Sequence, residues 1–321
     1  MERASNNSSN SQRSSKKKLE ELEEIKELKD PIKNHRVVVV GESGVGKSRL
    51  IENLIQQVLL KNDPVGPKAE QLSEYIQESL KNLKSVNSAE GCTTKSSKYK
   101  FDNFEFIDSC GLGSPEKGSI STQIAFIDLM ESISKYADGL TLLIMVFRLR
   151  ITQNFIDNYE LFHNIISQGK IPMICVVTGC EEIANPQDWP KQGNNLSMFQ
   201  KNHLNFSEII GTTFVSYQDK SIDLPFIELR KNSTLAVLDA IYKHSLETKI
   251  PIFTESNKSD FIRKLWNFVC KKIPFMKNLQ VPNNQIKSIL EKAGMDKDTI
   301  IKLTNVIDEK PNQNSFMKNM V

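Results

Sequence analysis

Cysteine is scarce. The five in 321 residues (Cys92, Cys110, Cys175, Cys180 and Cys270) form no CxxC pair, which argues against a disulfide framework and against a zinc finger or ribbon. Histidine is scarcer: His35, His163, His203 and His244 show no ligand spacing and join no nucleophile constellation, so they read as surface or capping groups. Charge of either sign is nearly balanced, 42 Lys and Arg against 39 Asp and Glu, and the formal net charge of +3 is too small to suggest nucleic acid, so no such partner is expected. Long apolar runs are missing too. The longest, Leu140 to Phe147, falls far short of the roughly 20 residues that cross a bilayer. No apolar h-region follows Met1, so a cytoplasmic protein with reduced thiols is expected. A hydrophobic fraction of 39% and a charged fraction of 25% exclude a wholly disordered chain, a collagen and a multi-span membrane protein.

What the chain does have is uneven. Residues 1–34 sum to about +1, residues 249–321 to about +6, and the middle to about −4. The first fifteen residues are rich in Ser and Asn and hold too few apolar side chains to offset their ordering entropy, which predicts disorder. Leu19, Leu22, Ile25 and Leu28 then recur at three-residue spacing and predict a short helix over 16–30, either docked or solvated. From His35 onward β-branched runs alternate with helical patterns. Arg36–Val40, Phe104–Asp108, Leu140–Phe147, Ile174–Val177 and Thr213–Tyr217 read as strands, and Ser48–Leu60, Ile120–Tyr136, Ile151–Ile166, Ser197–Ile210 and Ser233–Leu246 as helices. Lys98–Phe101 and Phe104–Ile107 predict a hairpin across Asp102-Asn103, and Ala69–Leu83 a helix within a long insertion. The order implies an α/β fold with a doubly wound, mostly parallel sheet over 35–248, flanked by a disordered segment with a short helix (1–34) and a helical, basic extension (249–321).

One motif carries chemistry. Gly41-Glu-Ser-Gly-Val-Gly-Lys-Ser48 fits G-x-x-x-x-G-K-[ST] and stands between a predicted strand and a predicted helix. Gly41, Gly44 and Gly46 permit close backbone approach, so the N–H groups of Glu42, Ser43, Val45 and their neighbours can cradle phosphates at a helix N-terminus. Lys47 is expected to reach the β and γ phosphates as a catalytic group, Ser48 to ligate Mg²⁺, and Arg49 to border the nucleotide without serving as an in-chain arginine finger. Downstream, Asp108-Ser-Cys-Gly111 ends a strand. Asp108 is expected to support Mg²⁺ and Gly111 to contact a γ-phosphate. Between them, Gly91-Cys-Thr-Thr-Lys95 offers Thr94 as the second hydroxyl ligand and γ-phosphate sensor, with Thr93 as the alternative.

These residues resemble the P-loop GTPases of the TRAFAC class. Thr93-Thr-Lys95 before a hairpin is similar to the Thr-Thr-Arg switch of the TrmE/Era branch. Gly139-Leu-Thr-Leu-Leu-Ile-Met-Val-Phe147, Arg150-Ile-Thr-Gln-Asn-Phe155 and Ile171-Pro-Met-Ile-Cys-Val-Val-Thr178 resemble the immunity-associated GTPases (GIMAP and the plant avirulence-induced proteins) over about residues 36–247. The resemblance implies a G domain, GTP and GDP as ligands, Mg²⁺, and a homodimer through the nucleotide face. It also exposes departures. Such proteins read the base with Arg-Lys-Glu-Asp or Asn-Lys-x-Asp, and here the segment is Thr178-Gly-Cys-Glu-Glu182. Cys180 stands in the lysine's place and Glu182 in the aspartate's, with Glu181 as the other candidate carboxylate. Leu112 follows Gly111 where a Ras-like enzyme has a water-orienting glutamine, so hydrolysis is expected to be slow unless a second subunit helps.

Cys92, Cys110 and Cys180 fall in the nucleotide loops, either as a redox switch or as small loop side chains. The tail carries an amphipathic pattern over 259–277, with Phe261, Ile262, Leu265, Trp266, Phe268 and Val269 opposite Arg263, Lys264, Lys271 and Lys272. Two readings stand: a membrane-surface helix, making the protein peripheral, or a helix docked on the G domain. Function therefore reads as a GTP-binding switch with slow Mg²⁺-dependent hydrolysis. The alternatives are a nucleotide-dependent oligomerising scaffold, and a P-loop ATPase or small-molecule kinase.

Overall fold

The computed structural model describes residues 34–62, 97–109, 133, 135–254, 256–258, 260–261, 263–265 and 268. The readings at 1–33, 69–83 and 283–308, most of the 120–136 helix, and Thr93, Thr94, Gly111, Leu112, Cys92, Cys110 and Cys270 lie outside the described residues.

Six strands form one sheet in the order β2-β3-β1-β4-β5-β6. They are β1 (His35–Val40), β2 (Ser97–Phe101), β3 (Phe104–Asp108), β4 (Leu142–Arg148), β5 (Met173–Thr178) and β6 (Glu208–Gly211). All neighbours run parallel except β2, which pairs antiparallel with β3 as an edge strand. The hairpin turns at Asp102, whose φ of 51° is of the kind Asp tolerates better than most residues. This is the doubly wound arrangement expected for a P-loop G domain.

The all-Val run of β1 is buried along its whole length because both faces of the sheet are covered. Val37 and Val39 face one layer, with Leu142, Ile144 and Val146 of β4 and Ile174 and Val176 of β5. Helix α1 (Lys47–Asn62) closes that layer through Leu50, Ile51, Leu54, Ile55 and Val58, a stripe of helical spacing. Val38 and Val40 face the other layer with Leu143, Met145, Phe147, Met173, Cys175 and Val177. There α2 (Gln153–Tyr159) passes without a break into a wider π-type turn over Glu160–Ile166, where Ser167 N–H donates to Phe162 O at 3.0 Å. Helix α3 (Asn195–Lys201) covers the same side with Phe199.

Three expectations are corrected. The sixth strand is Glu208–Gly211, not Thr213–Tyr217, and the preceding helix ends at Lys201 rather than Ile210. Thr212 and Thr213 are buried as irregular chain. Thr212 is still tied to β5, its N–H and Oγ1 both donating to Val177 O at 2.7 and 2.9 Å, whereas Thr213 N–H donates to Ser233 Oγ at 3.1 Å and leaves the sheet. The last long helix, α4 (Lys220–His244), starts thirteen residues before the expected Ser233 (233 − 220). Pro225 marks a break in the sequence pattern, yet the helix is capped ahead of it by Asp219, whose carboxylate accepts from Ser221 N–H at 2.9 Å.

Three of the apolar tail positions lie among the described residues. Phe261, Leu265 and Phe268 are buried in the core layer that holds Tyr136, Leu140 and Ile252. An antiparallel bridge leads the chain there, Leu140 and Ile250 exchanging N–H···O bonds of 3.0 and 2.9 Å. At these three positions the apolar side chains pack on the domain. No helix among the described residues is long and apolar enough to cross a membrane.

If the docked helix supports the domain, Leu265→Ala should lower stability in a urea titration by about 2–5 kcal/mol, as other buried leucines do. Leu224→Ala, on the exposed side of α4, should change it by less than about 0.5 kcal/mol. Equal small effects would contradict the docking.

Candidate functional site

Gly41 to Gly46 form the turn between β1 and α1, and the helix begins at Lys47. The turn crosses β4 at very short range: a Cβ at position 41 would lie 2.2 Å from the Val146 carbonyl oxygen, so only glycine fits. Positive φ angles at Gly41, Gly44 and Gly46 curl the chain back on itself. Among the described residues, none accepts a hydrogen bond from the N–H groups of Ser43, Gly44, Val45 or Gly46. The first turn of α1 contains no acidic residue, so its positive end is not neutralised from within the helix. This is a concave row of main-chain donors suited to an anion.

Four attachments hold the row in shape. Lys47 is buried, and its Nζ donates to the carbonyl oxygens of Gly41 at 3.0 Å and Glu42 at 2.8 Å, which pins the ammonium inside the turn. Thr152, the N-cap of α2, donates its hydroxyl to the Glu42 carboxylate while its Oγ1 accepts from Phe155 N–H at 3.0 Å. Thr178 at the end of β5 donates to Val45 O at 2.7 Å. Ser48 Oγ donates to Asp108 Oδ2 at 2.7 Å, joining α1 to the end of β3.

The last pair is the candidate metal corner. Asp108 is almost wholly buried, and among the described residues none donates a hydrogen bond to its Oδ1. Burial pushes its carboxyl above the usual range, against the pull of the Lys47 ammonium and the Ser48 hydroxyl. A buried carboxylate oxygen without a donor, beside a serine hydroxyl, is a hard-oxygen set that fits Mg²⁺. No group of three or more His, Cys, Asp or Glu suited to a metal occurs among the described residues, so a metal here also needs oxygens from elsewhere, as a phosphate provides.

The remaining expected residues are less concentrated. Arg49 is turned along α1, where it pairs with Glu52 at 2.7 Å. Thr178 touches the loop through its hydroxyl rather than by reaching outward. Glu182 is exposed and Glu181 half-buried, both just beyond β5. Cys180 does not stand at a base. It is buried in the core, its thiol 3.6 Å from Val177 O, and burial pushes that thiol up to about 11, which removes it as a reactive switch at neutral pH. Sequence reasoning missed Thr152 as a partner of Glu42, the tie of Thr178 to Val45, and Arg148, whose side chain lies against Gly179. A Ser or Thr at a strand end or before a helix was the only signal available for the first two.

Residues 36–179 match the family model described as 50S ribosome-binding GTPase, and the match supports a P-loop GTPase domain in that stretch, just under half of the chain. No curated protein matches. Solved structures with low likeness include a probable GTP-binding protein, engB, at 17% identity and a TM-score of 0.37, covering 64% of this chain and 99% of that one. Another is translation elongation factor SelB from Methanococcus maripaludis in complex with the GTP analogue GPPNHP, at 12% identity and 0.34, covering 65% and 34%. Identities and scores this low carry no argument about function.

The Thr178 tie is testable. Thr178→Val keeps the shape and removes the donor to Val45 O, so nucleotide affinity measured by calorimetry should fall about tenfold, the worth of one buried hydrogen bond, with the circular dichroism spectrum unchanged. Unchanged affinity would show that the loop holds its form without β5.

Proposed function

We propose that the chain is a guanine-nucleotide switch that binds GTP with Mg²⁺ in the 41–48 loop and hydrolyses it slowly. The observation that carries this reading is the row of unaccepted N–H groups from Ser43 to Gly46, closed at one end by the Lys47 ammonium and at the other by the Ser48–Asp108 pair. A polyphosphate meets all three needs of that surface: it accepts from the amides, neutralises the lysine and brings a metal to the orphaned oxygen of Asp108. Bound Mg²⁺ supplies charge neutralisation between the phosphates. Ser48, Asp108 and Thr94 are the residues that would hold it. Lys47, already aligned by two carbonyls, needs no rearrangement to face the β and γ oxygens.

Guanine rather than adenine is favoured by the carboxylates after β5, because a carboxylate accepts from N1–H and the 2-amino group together. Loss of the γ-phosphate releases the 85–97 and 109–120 loops, which makes the protein a switch. Within the GTPases, the stretches from Gly139 to Phe147 and from Ile171 to Thr178 favour the immunity-associated branch, with a homodimer through the nucleotide face and a cytoplasmic setting. A second reading, an oligomerising scaffold that scarcely hydrolyses, is favoured by Leu112.

Lys47→Ala should abolish binding of a fluorescent GTP analogue while leaving the circular dichroism spectrum unchanged, and unlabelled GTP should displace that analogue from the native chain at far lower concentration than ATP. Retained affinity in the variant would contradict the site, and better displacement by ATP would favour the ATPase reading. Single-turnover hydrolysis that rises with protein concentration supports the dimer, and a flat, near-zero rate supports the scaffold.

A further inference from the structure

The loop has a metal end and an opposite end. Ser48 and Asp108 sit at the β1–β3 side, whereas Thr178 grips the loop from β5, two strands away on the other side of β1. A nucleotide with its terminal phosphates at the metal corner therefore carries its nucleoside over the ends of β4 and β5. Two carboxylates, Glu181 and Glu182, border that region, but position 179 offers no side chain to lie against a base.

Arg148 occupies the space instead. It is the Cα partner of Thr178 across the β4–β5 pair. A Cβ at position 179 would lie 3.1 Å from Arg148 Cγ and 3.2 Å from Nε, and 3.4 Å from Leu149 Cδ1. Gly179 has φ of 89°, so the chain itself disfavours a side chain there. The corner that delivers Arg148 is tight: Leu149 takes φ of 54°, unusual for leucine, and Arg150 N–H donates to Arg148 O at 2.6 Å. That corner turns the backbone away and leaves the Arg148 side chain over β5. Arg148 is exposed, and no carboxylate among the described residues pairs with it, although Glu181 and Glu182 are close in sequence to the glycine it covers.

We infer that Arg148 is the platform on which the nucleotide base stacks, a residue from the end of β4 that covers Gly179 where Cys180, in the expected lysine's place, is buried in the core. This rests on the nucleotide-binding reading above. A guanidinium is planar and weakly hydrated, and it stacks on aromatic faces as an ammonium does not. Stacking is indifferent to which purine is bound, so Arg148 supplies affinity for the base and leaves the choice of purine to the carboxylates.

The test compares ligands with and without a base on the full-length chain. Arg148→Ala should weaken GDP by roughly 10- to 100-fold, the usual worth of one base stack, and weaken inorganic triphosphate less than twofold. Arg148→Lys keeps the charge and loses the plane, so it should behave nearly as the alanine variant does. Equal weakening of GDP and triphosphate would make Arg148 a phosphate counter-charge and overturn the inference, as would full GDP affinity in Arg148→Ala or full rescue by lysine. If Lys47→Ala also binds GDP normally, the loop assignment itself has failed. If Lys47→Ala loses GDP while Arg148→Ala keeps it, only the base platform has failed.

Discussion

Between Val40 and Ser48 the main chain turns back on itself with its amide donors exposed, and it holds that form through bonds to parts of the chain far away in sequence. The Val45 carbonyl is tied to β5, the Glu42 side chain to the cap of α2, and Ser48 to the end of β3, while Gly41 presses against the backbone of β4. A free loop of this composition would sample many shapes. Here the ordering entropy has been spent in folding, so an incoming anion meets donors already in place. The same attachments make the site a reporter on the strand ends, because movement at Asp108 is felt at Ser48.

The sheet supplies the rigidity behind this. The β1 valines alternate between two apolar layers, one closed by α1 and α4 and the other by α2, α3 and the docked tail residues. Such a strand cannot slip in register without moving its whole apolar set. Its C-terminal end is therefore a fixed point, and the ends of β3, β4 and β5 beside it are equally fixed. Ligand sites of open α/β sheets form outside those ends. The start of the tail belongs to this support: Leu140 and Ile250 form a bridge, and Phe261, Leu265 and Phe268 are buried in the same apolar layer.

Much of this is legible in the sequence. An unbroken run such as Arg36–Val40 has few uses other than a strand covered on both faces, and a glycine-rich turn ending in Lys-Ser has few uses other than phosphate binding. The sixth strand was not legible, because only Ile209 and Ile210 mark it, whereas Thr213–Tyr217 has the composition of a strand but is held by the side chains of Ser233, Asp223 and Arg230. The first half of α4 contains Pro225, which ordinarily ends a helix, so the start set by the Asp219 cap was not legible. In the site, Lys47, Ser48 and Asp108 follow from local patterns. The contacts from Thr152, Thr178 and Arg148 depend on strand order and register, which single-residue patterns do not encode.

The central claim is that the amides of the 41–48 turn receive the phosphates. Backbone ¹⁵N–¹H spectra of the glycine-labelled full-length chain, taken with and without saturating Mg·GTP, address it directly. The account predicts large shifts at Gly44 and Gly46, with little change at Gly169, which precedes β5 at the end of the strand opposite to Thr178. Unmoved resonances at Gly44 and Gly46 under saturating nucleotide would contradict it.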